Sequence, residues 1–322
     1  MKQHKQSAAD PSVAVQPVNG RKRLVKLRKN LPYMIMLVIP LLYFILFCYW
    51  PMFGISMAFQ DYKIGSPFLG ANTKWVGLKW FQQLLNSPFF PRLLRNTLMI
   101  SLTDLAIGFP MCIAFAILLN EVHHKFLRRF TANISLLPWF ISTVVVVAIL
   151  HNFFSIDDGI VQNIIEKLGG ERTTIIGNPD TFLALYVGSS IWQGCGYGAV
   201  VFTAAIAAID PSLYEAAALD GSNRLKNIFH ITIPCIMPTI LIMLILRFGS
   251  LMSVGSAKVL LMYRPVTYET ADIFGTYAYR VAFGDGKMSY SAAIDLFTSV
   301  INLTLLLIAN KISKKVSETS LF

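Results

Sequence analysis

Apolar residues in this chain gather into long runs separated by short polar links. A helix that crosses a membrane needs ~20 mostly apolar residues. Six runs have that length, at approximately 33–57, 97–119, 134–154, 182–209, 234–254 and 292–310. The first follows a basic segment, as a signal peptide would. It is too long for such a segment's apolar core and lacks a small-x-small cleavage site, so it reads as a retained helix. Pro40 and Pro51 are expected to kink or end it.

An even number of spans places both termini on one side. Eight Lys/Arg precede residue 30, and Arg21, Lys22, Arg23, Lys26, Arg28 and Lys29 abut the first run. Lys125, Arg128 and Arg129 fill a link, and Lys311, Lys314 and Lys315 follow the last run. Basic flanks mark the cytoplasmic side, so both termini and the links 120–129 and 210–233 are expected there. The links 58–96, 155–181 and 255–291 then face outward. The middle one carries Asp157, Asp158, Glu166, Glu171 and Asp180, which suits an outer face. The first is a mild exception, with Lys63, Lys74, Lys79, Arg92 and Arg95. Residues 1–29 read as a basic, disordered cytoplasmic tail, and 30–322 as one six-helix transmembrane domain.

Composition agrees with this reading. The 322 residues are 55% hydrophobic and 14% charged, against ~25% charged in soluble chains. That excludes a pair of soluble domains. The net charge of +11 sits at the ends of apolar runs, with no aromatic-interleaved basic face for nucleic acid. Cys48, Cys112, Cys195 and Cys235 lie in or beside apolar runs, and none has CxxC spacing. Neither zinc nor a disulfide framework is indicated. Of the histidines (His4, His123, His124, His151 and His230), none pairs at i, i+4 with a carboxylate neighbour, and no metal site is assigned.

The link 210–234 is the most informative stretch. It reads as a short helix, a turn, and a second helix entering the membrane. Pro211 suits a first helical position. Ser212 and Glu215 have capping-box spacing. Leu213, Ala216 and Ala217 make a small apolar face. Gly221 can take the left-handed conformation that ends a helix, and Ser222 can cap the next. Such an exposed helix is shaped to dock into a groove of another protein.

Glu215-Ala216-Ala217, three residues, Gly221, nine residues, then Ile231-x-Ile233-Pro234 resembles the motif of permease subunits of ATP-binding-cassette importers. Ile233 stands where Leu is usual. The likeness runs from about residue 30 to 322 and is nearest to the carbohydrate-uptake permeases of the polysaccharide or complex-oligosaccharide type. Leu246-Arg247-Phe248-Gly249-Ser250, Ser253-Val254-Gly255 and Lys258-Val259-Leu260-Leu261 carry that flavour. So do residues 267–272 and the tail beginning at Ile312.

The resemblance implies an all-α integral membrane protein, the type I importer permease fold, in a bacterial cytoplasmic membrane. Residues 210–234 would be its coupling loop, whose helix sits in a cleft of the ATPase subunit. Ser212, Glu215, Ala216, Ala217, Gly221, Ile231 and Pro234 are the coupling residues. No G-x-x-x-x-G-K-[ST] occurs, so no ATP or Mg²⁺ site is expected on this chain. The implied partners are a second homologous permease, two ATPase subunits, an external solute-binding protein and membrane lipid.

A sugar path needs hydrogen-bonding groups and aromatic faces. Trp139, Asn152, Ser189, Trp192, Gln193, Tyr197 and Ser250 are the candidates, with Ser142, His151, Ser190 and Ser253 nearby. The bland alternative for the fourth run, which interleaves Gly188, Gly194, Gly196 and Gly198, is close helix packing. Arg247 and Asp295 form a candidate intramembrane ion pair. Arg247 is thirteen residues beyond Pro234, about 20 Å up its helix, and Asp295 about 9 Å down the next. The two would share a depth.

Asp104, Arg247 and Asp295 also suit an ion-coupled secondary carrier. A permease for a disaccharide or peptide is a nearer alternative. A membrane enzyme acting on lipid-linked sugar would want convergent carboxylates, and only Asp157-Asp158 offers a pair.

Overall fold

The computed structural model of the protein describes residues 20–63, 65 and 74–317. The regular secondary structure of those residues is helical, apart from one isolated antiparallel bridge between Gln60 and Trp75. Four helices are long and apolar enough to cross a membrane: Asn30–Phe59, Phe90–Glu121, Arg224–Phe248 and Met288–Lys315. Counting each of two bent pairs as one span brings the number to six by length and composition, Lys125–Phe140 with Thr143–Phe154 and Pro179–Ala207 with Pro211–Leu219.

The chain divides into two compact units, one through Gly54 and one from Ile55 onward. The first unit is a helix that begins at Gly20, so residues 20–29 of the expected tail are helical and the rest of that tail lies outside the described residues. Residues 21–29 hold no Gly or Pro and several Lys and Arg, which are good helix formers. Pro40 does not end the helix. The chain widens to a π-helix at Phe44–Tyr49 and tightens to a 3₁₀ segment at Phe53–Phe59, with Pro51 in the first turn of Trp50–Met52.

In the second unit, the run expected as one helix over 134–154 is broken. Its two arms meet at 98°. The break has local causes. Pro138 opens a 3₁₀ turn, Ile141 and Ser142 are extended, and Ser142 caps the next arm by accepting the Val145 N–H at 3.4 Å. Thr143–Phe154 has 12 residues, about 18 Å of helix. That is short of a ~30 Å hydrocarbon core. The first arm, Lys125–Phe140, mixes Lys125, Arg128 and Arg129 with exposed Phe126 and Phe130.

The fifth span starts ten residues before the expected Pro234. It enters through Arg224–Asn227 and a π-helix at Ile228–Thr232. It ends at Phe248, not 254, so Ser250 and Ser253 stand in a non-helical break rather than on the span. Asn302 of the sixth span holds that break. Its Oδ1 accepts the Met252 N–H at 2.8 Å and its Nδ2 donates to Ser253 Oγ at 2.8 Å.

Three apolar clusters hold this unit together. Phe109, Cys112, Ala116, Ala199, Phe202 and Ile236 join the second, fourth and fifth spans. Ile100, Val147, Tyr186, Val187 and Val259 join the second, third and fourth spans to the helix Ser256–Met262. Phe274, Tyr277, Tyr290 and Ile294 pack the sixth span on the segment before it. A buried carboxylate fastens that segment to the second span. Asp272 accepts from Arg92 at 2.9 Å, Arg280 at 2.8 Å and Thr276 at 3.0 Å. Losing either arginine partner would leave a buried charge less compensated.

Candidate functional site

The link 210–234 folds as a self-contained unit. Pro211–Leu219 is helical with Pro211 at its first position. Asp210 caps it, accepting the Ser212 N–H at 2.9 Å, and that bond holds the Asp210 carboxyl below the usual carboxylate range. The expected capping box at Ser212 is therefore corrected. A proline in the first helical position makes the residue before it the cap. The helix ends as expected at Gly221, with φ +71°. The Ser222 N–H donates to Ala217 O at 2.9 Å and the Gly221 N–H to Ala218 O at 3.1 Å, a Schellman pair. The next helix is capped by Asn223, one residue beyond the expected Ser222. Its Oδ1 accepts the Lys226 N–H at 2.9 Å.

Glu215 and Ala216 are exposed and Ala217 is half-buried. Leu213, Leu219, Leu225 and Phe229 are all exposed, so the loop presents apolar and acidic groups together. Ile231 and Pro234 lie at the start of the fifth span, on either side of buried Thr232. A contact not foreseen from the sequence joins the two helices, Tyr214 Oη to Thr232 Oγ1 at 2.9 Å.

The second feature is a cavity of about 270 Å³ between the clusters. Asp104, Trp139, Gln193, Arg247, Ser250, Ser253 and Lys258 are among its lining residues. The second span widens into a π-helix at Asp104–Gly108 beside it. Such bulges are frequent at functional sites because they redirect side chains. Of the expected path residues, Trp139, Gln193 and Ser250 line this cavity. Gln193 donates to Ile141 O at 3.0 Å, across the break in the third span. Tyr197 stacks on Trp139, with ring centroids 4.3 Å apart and planes 2° from parallel.

The other expected path residues are elsewhere. Ser189 and Trp192 line a separate apolar pocket with Val146, Ile149 and Phe153. Ser189 Oγ turns back to its own helix and donates to Leu185 O and Tyr186 O. Asn152 is exposed on Thr143–Phe154 and lines neither pocket. The glycines of the fourth span divide in function. A Cβ on Gly196 would lie 2.0 Å from the Ser135 carbonyl oxygen, so this glycine permits close helix packing. Gly194 lines the cavity.

The expected Arg247–Asp295 pair is not formed. Arg247 Nη1 lies 3.9 Å from Asp104 Oδ2 on the second span. Asp295 is exposed, and among the described residues it has no ion pair. Equal depth on consecutive helices did not bring the two to the same face. Lys258, noted in the sequence only as part of the stretch that carries the family resemblance and not as a site residue, is buried at 6% exposure with Nζ 2.9 Å from Ser190 Oγ. Nothing local to its sequence sets it apart, since its partner is on a distant span. Among the described residues, no group of three His, Cys, Asp or Glu could hold a metal ion.

Comparison with known proteins gives a consistent set of relatives. Residues 108–318 match the family described as binding-protein-dependent transport system inner membrane component. Protein LplB of Bacillus subtilis (strain 168) is 41% identical over 292 residues, covering 90% of this chain and 91% of that protein. The polygalacturonan/rhamnogalacturonan transport system permease protein YteP of the same organism is 38% identical, covering 98% of each chain. A crystal structure of a bacterial ABC transporter involved in the import of the acidic polysaccharide alginate contains a chain 36% identical, with a TM-score of 0.83 over 92% of this chain and 99% of that one. A crystal structure of a bacterial alginate ABC transporter in complex with an alginate pentasaccharide-bound periplasmic protein contains a chain that matches at 35% identity and the same TM-score.

Proposed function

The chain belongs to the family of binding-protein-dependent transport system inner membrane components, and from that premise we propose how this multi-pass importer permease works. Its cargo is a sugar or complex oligosaccharide handed over by an external solute-binding protein. The named cargoes of YteP and of the alginate transporter support this, as does the cavity of hydroxyl, amide and aromatic groups.

ATP and Mg²⁺ act on two separate ATPase subunits, because these 322 residues hold no phosphate-binding loop. A second, homologous permease completes the pathway. Both termini face the cytoplasm, which puts the loop 210–234 beside the ATPase. The observation that carries this reading is the exposed helix Pro211–Leu219 with its locally capped ends. A helix of nine residues held by its own caps and by Tyr214–Thr232 keeps its shape when pushed. It can transmit a displacement to the fifth span as a lever, while Glu215 and the apolar face meet the partner.

Reconstituted vesicles test the reading with labelled galacturonic and neutral gluco-oligosaccharides. Uptake should require ATP and the ATPase subunit together. An impermeant thiol reagent outside should reach a cysteine placed at Asp158 and not one at Lys315. Uptake driven by an ion gradient without the ATPase overturns the assignment, and the reversed labelling pattern overturns the orientation.

A further inference from the structure

We propose that Lys258 is a carboxylate-binding residue of the cavity, which makes this permease selective for oligosaccharides containing uronic acid. The inference rests on the importer reading above.

The case begins with burial. Lys258 is 6% exposed and is among the residues that line the cavity. A buried ammonium is costly unless it is paired. Among the described residues no carboxylate lies within ion-pair distance of it. Its contacts are neutral: Ser190 Oγ accepts from it at 2.9 Å, and its charge sits 5.2 Å from the centre of the Tyr186 ring. An ammonium has three donors. These contacts use one N–H in a hydrogen bond and leave others for an occupant of the cavity.

The position of the ammonium is set by rigid parts. Tyr186 and Ser190 are four residues apart on the fourth span and so share a face. Lys258 stands in the helix Ser256–Met262, whose first turn is closed by the Lys258 N–H to Gly255 O at 2.9 Å. A Cβ on Gly255 would lie 2.9 Å from Tyr186 Oη, so this turn is packed tightly on the fourth span.

The remaining lining defines the ligand. The charged groups of the wall are Arg247, Lys258 and Asp104. Two cations against one carboxylate leave one net positive charge. Asp104 is 3.9 Å from Arg247 and its charge also acts on Lys258 beyond ion-pair distance, so one carboxylate is shared between two cations and leaves the ammonium incompletely compensated. Ser101, Ser250, Ser253 and Gln193 offer hydroxyl and amide groups. Trp139, backed by stacked Tyr197, offers a flat apolar face. An anion, several hydroxyls and an apolar ring face on one molecule describe a uronic acid. A neutral sugar would leave the ammonium unpaired during its passage.

The test is titration calorimetry on the full-length permease in lipid nanodiscs, with digalacturonic acid, its dimethyl ester and glucose 6-phosphate. The acid should bind at least tenfold more tightly than the ester. Lys258→Met should erase that difference without weakening the ester, and Lys258→Arg should restore part of it. The proposal is overturned if acid and ester bind alike, if neither binds, or if the sugar phosphate binds more tightly than the acid. It is also overturned if Lys258→Met keeps the preference. Binding of the ester by Lys258→Met reports that the variant is folded, and Ser190→Ala, which removes only the neutral partner, should keep the preference as a second check. Vesicle uptake separates the two readings. ATP-driven uptake of neutral but not acidic oligosaccharides would leave the importer intact and sink the carboxylate site. Gradient-driven uptake would sink the importer while the titration still reports on Lys258.

Discussion

The loop 210–234 and the cavity are built by opposite means. In the loop, nearly every hydrogen bond spans a few residues. Asp210 caps with Ser212, Gly221 and Ser222 close on Ala218 and Ala217, and Asn223 caps with Lys226. The longest tie, Tyr214 to Thr232, crosses 18 positions. The cavity depends on remote partners. Lys258 meets Ser190 across 68 positions and Asn302 holds Met252 across 50. A part that moves against another protein benefits from local bonds, because its shape then survives the motion. A binding cavity benefits from many separate walls, because a relative shift of those walls opens or closes it.

The largest test of this contrast is to damage the loop alone. Gly221→Val places a β-branched residue at φ +71°, a strain of about 1–3 kcal/mol confined to the helix end. Combined with Glu215→Lys, it should lower ATP-driven uptake at least tenfold while the complex assembles and the permease melts within a few degrees of wild type. Wild-type uptake from the double variant would show that the loop does not couple.

A mid-sized effect should come from the walls. Gly196→Leu brings atoms to within 2.0 Å of the Ser135 carbonyl, and overpacking of this kind costs about 1–3 kcal/mol. Thermal unfolding in detergent should shift down by several degrees, and uptake should fall because the Trp139 arm is displaced from the fourth span. An unchanged melting temperature would mean that this helix crossing is not tightly packed.

The smallest effect concerns the ion pair. At 3.9 Å and partly exposed, Arg247 and Asp104 are worth about 1 kcal/mol or less. Exchanging them (Arg247→Asp with Asp104→Arg) should transport better than either single change. Exchanging Arg247 with Asp295 should give no such recovery. The opposite ranking would return the pair to consecutive helices.

What the sequence by itself determined follows from short-range chemistry. Runs of ~20 apolar residues must be helical in lipid, since their backbone groups have no other partners there. Pro211 and Gly221 mark the ends of a helix because one lacks an N–H and the other accepts positive φ. Even there the caps shifted, to Asp210 and Asn223, because proline moves the cap and nearby Ser and Asn compete for it. The tertiary structure decided what periodicity does not carry. It set which face of the sixth span Asp295 occupies. It also brought Lys258, Arg247 and Asp104 to one cavity. Helix depth can be counted from a sequence at 1.5 Å per residue. Rotation about the axis depends on packing against distant spans, and that packing alone chose Asp104 over Asp295 as the partner of Arg247.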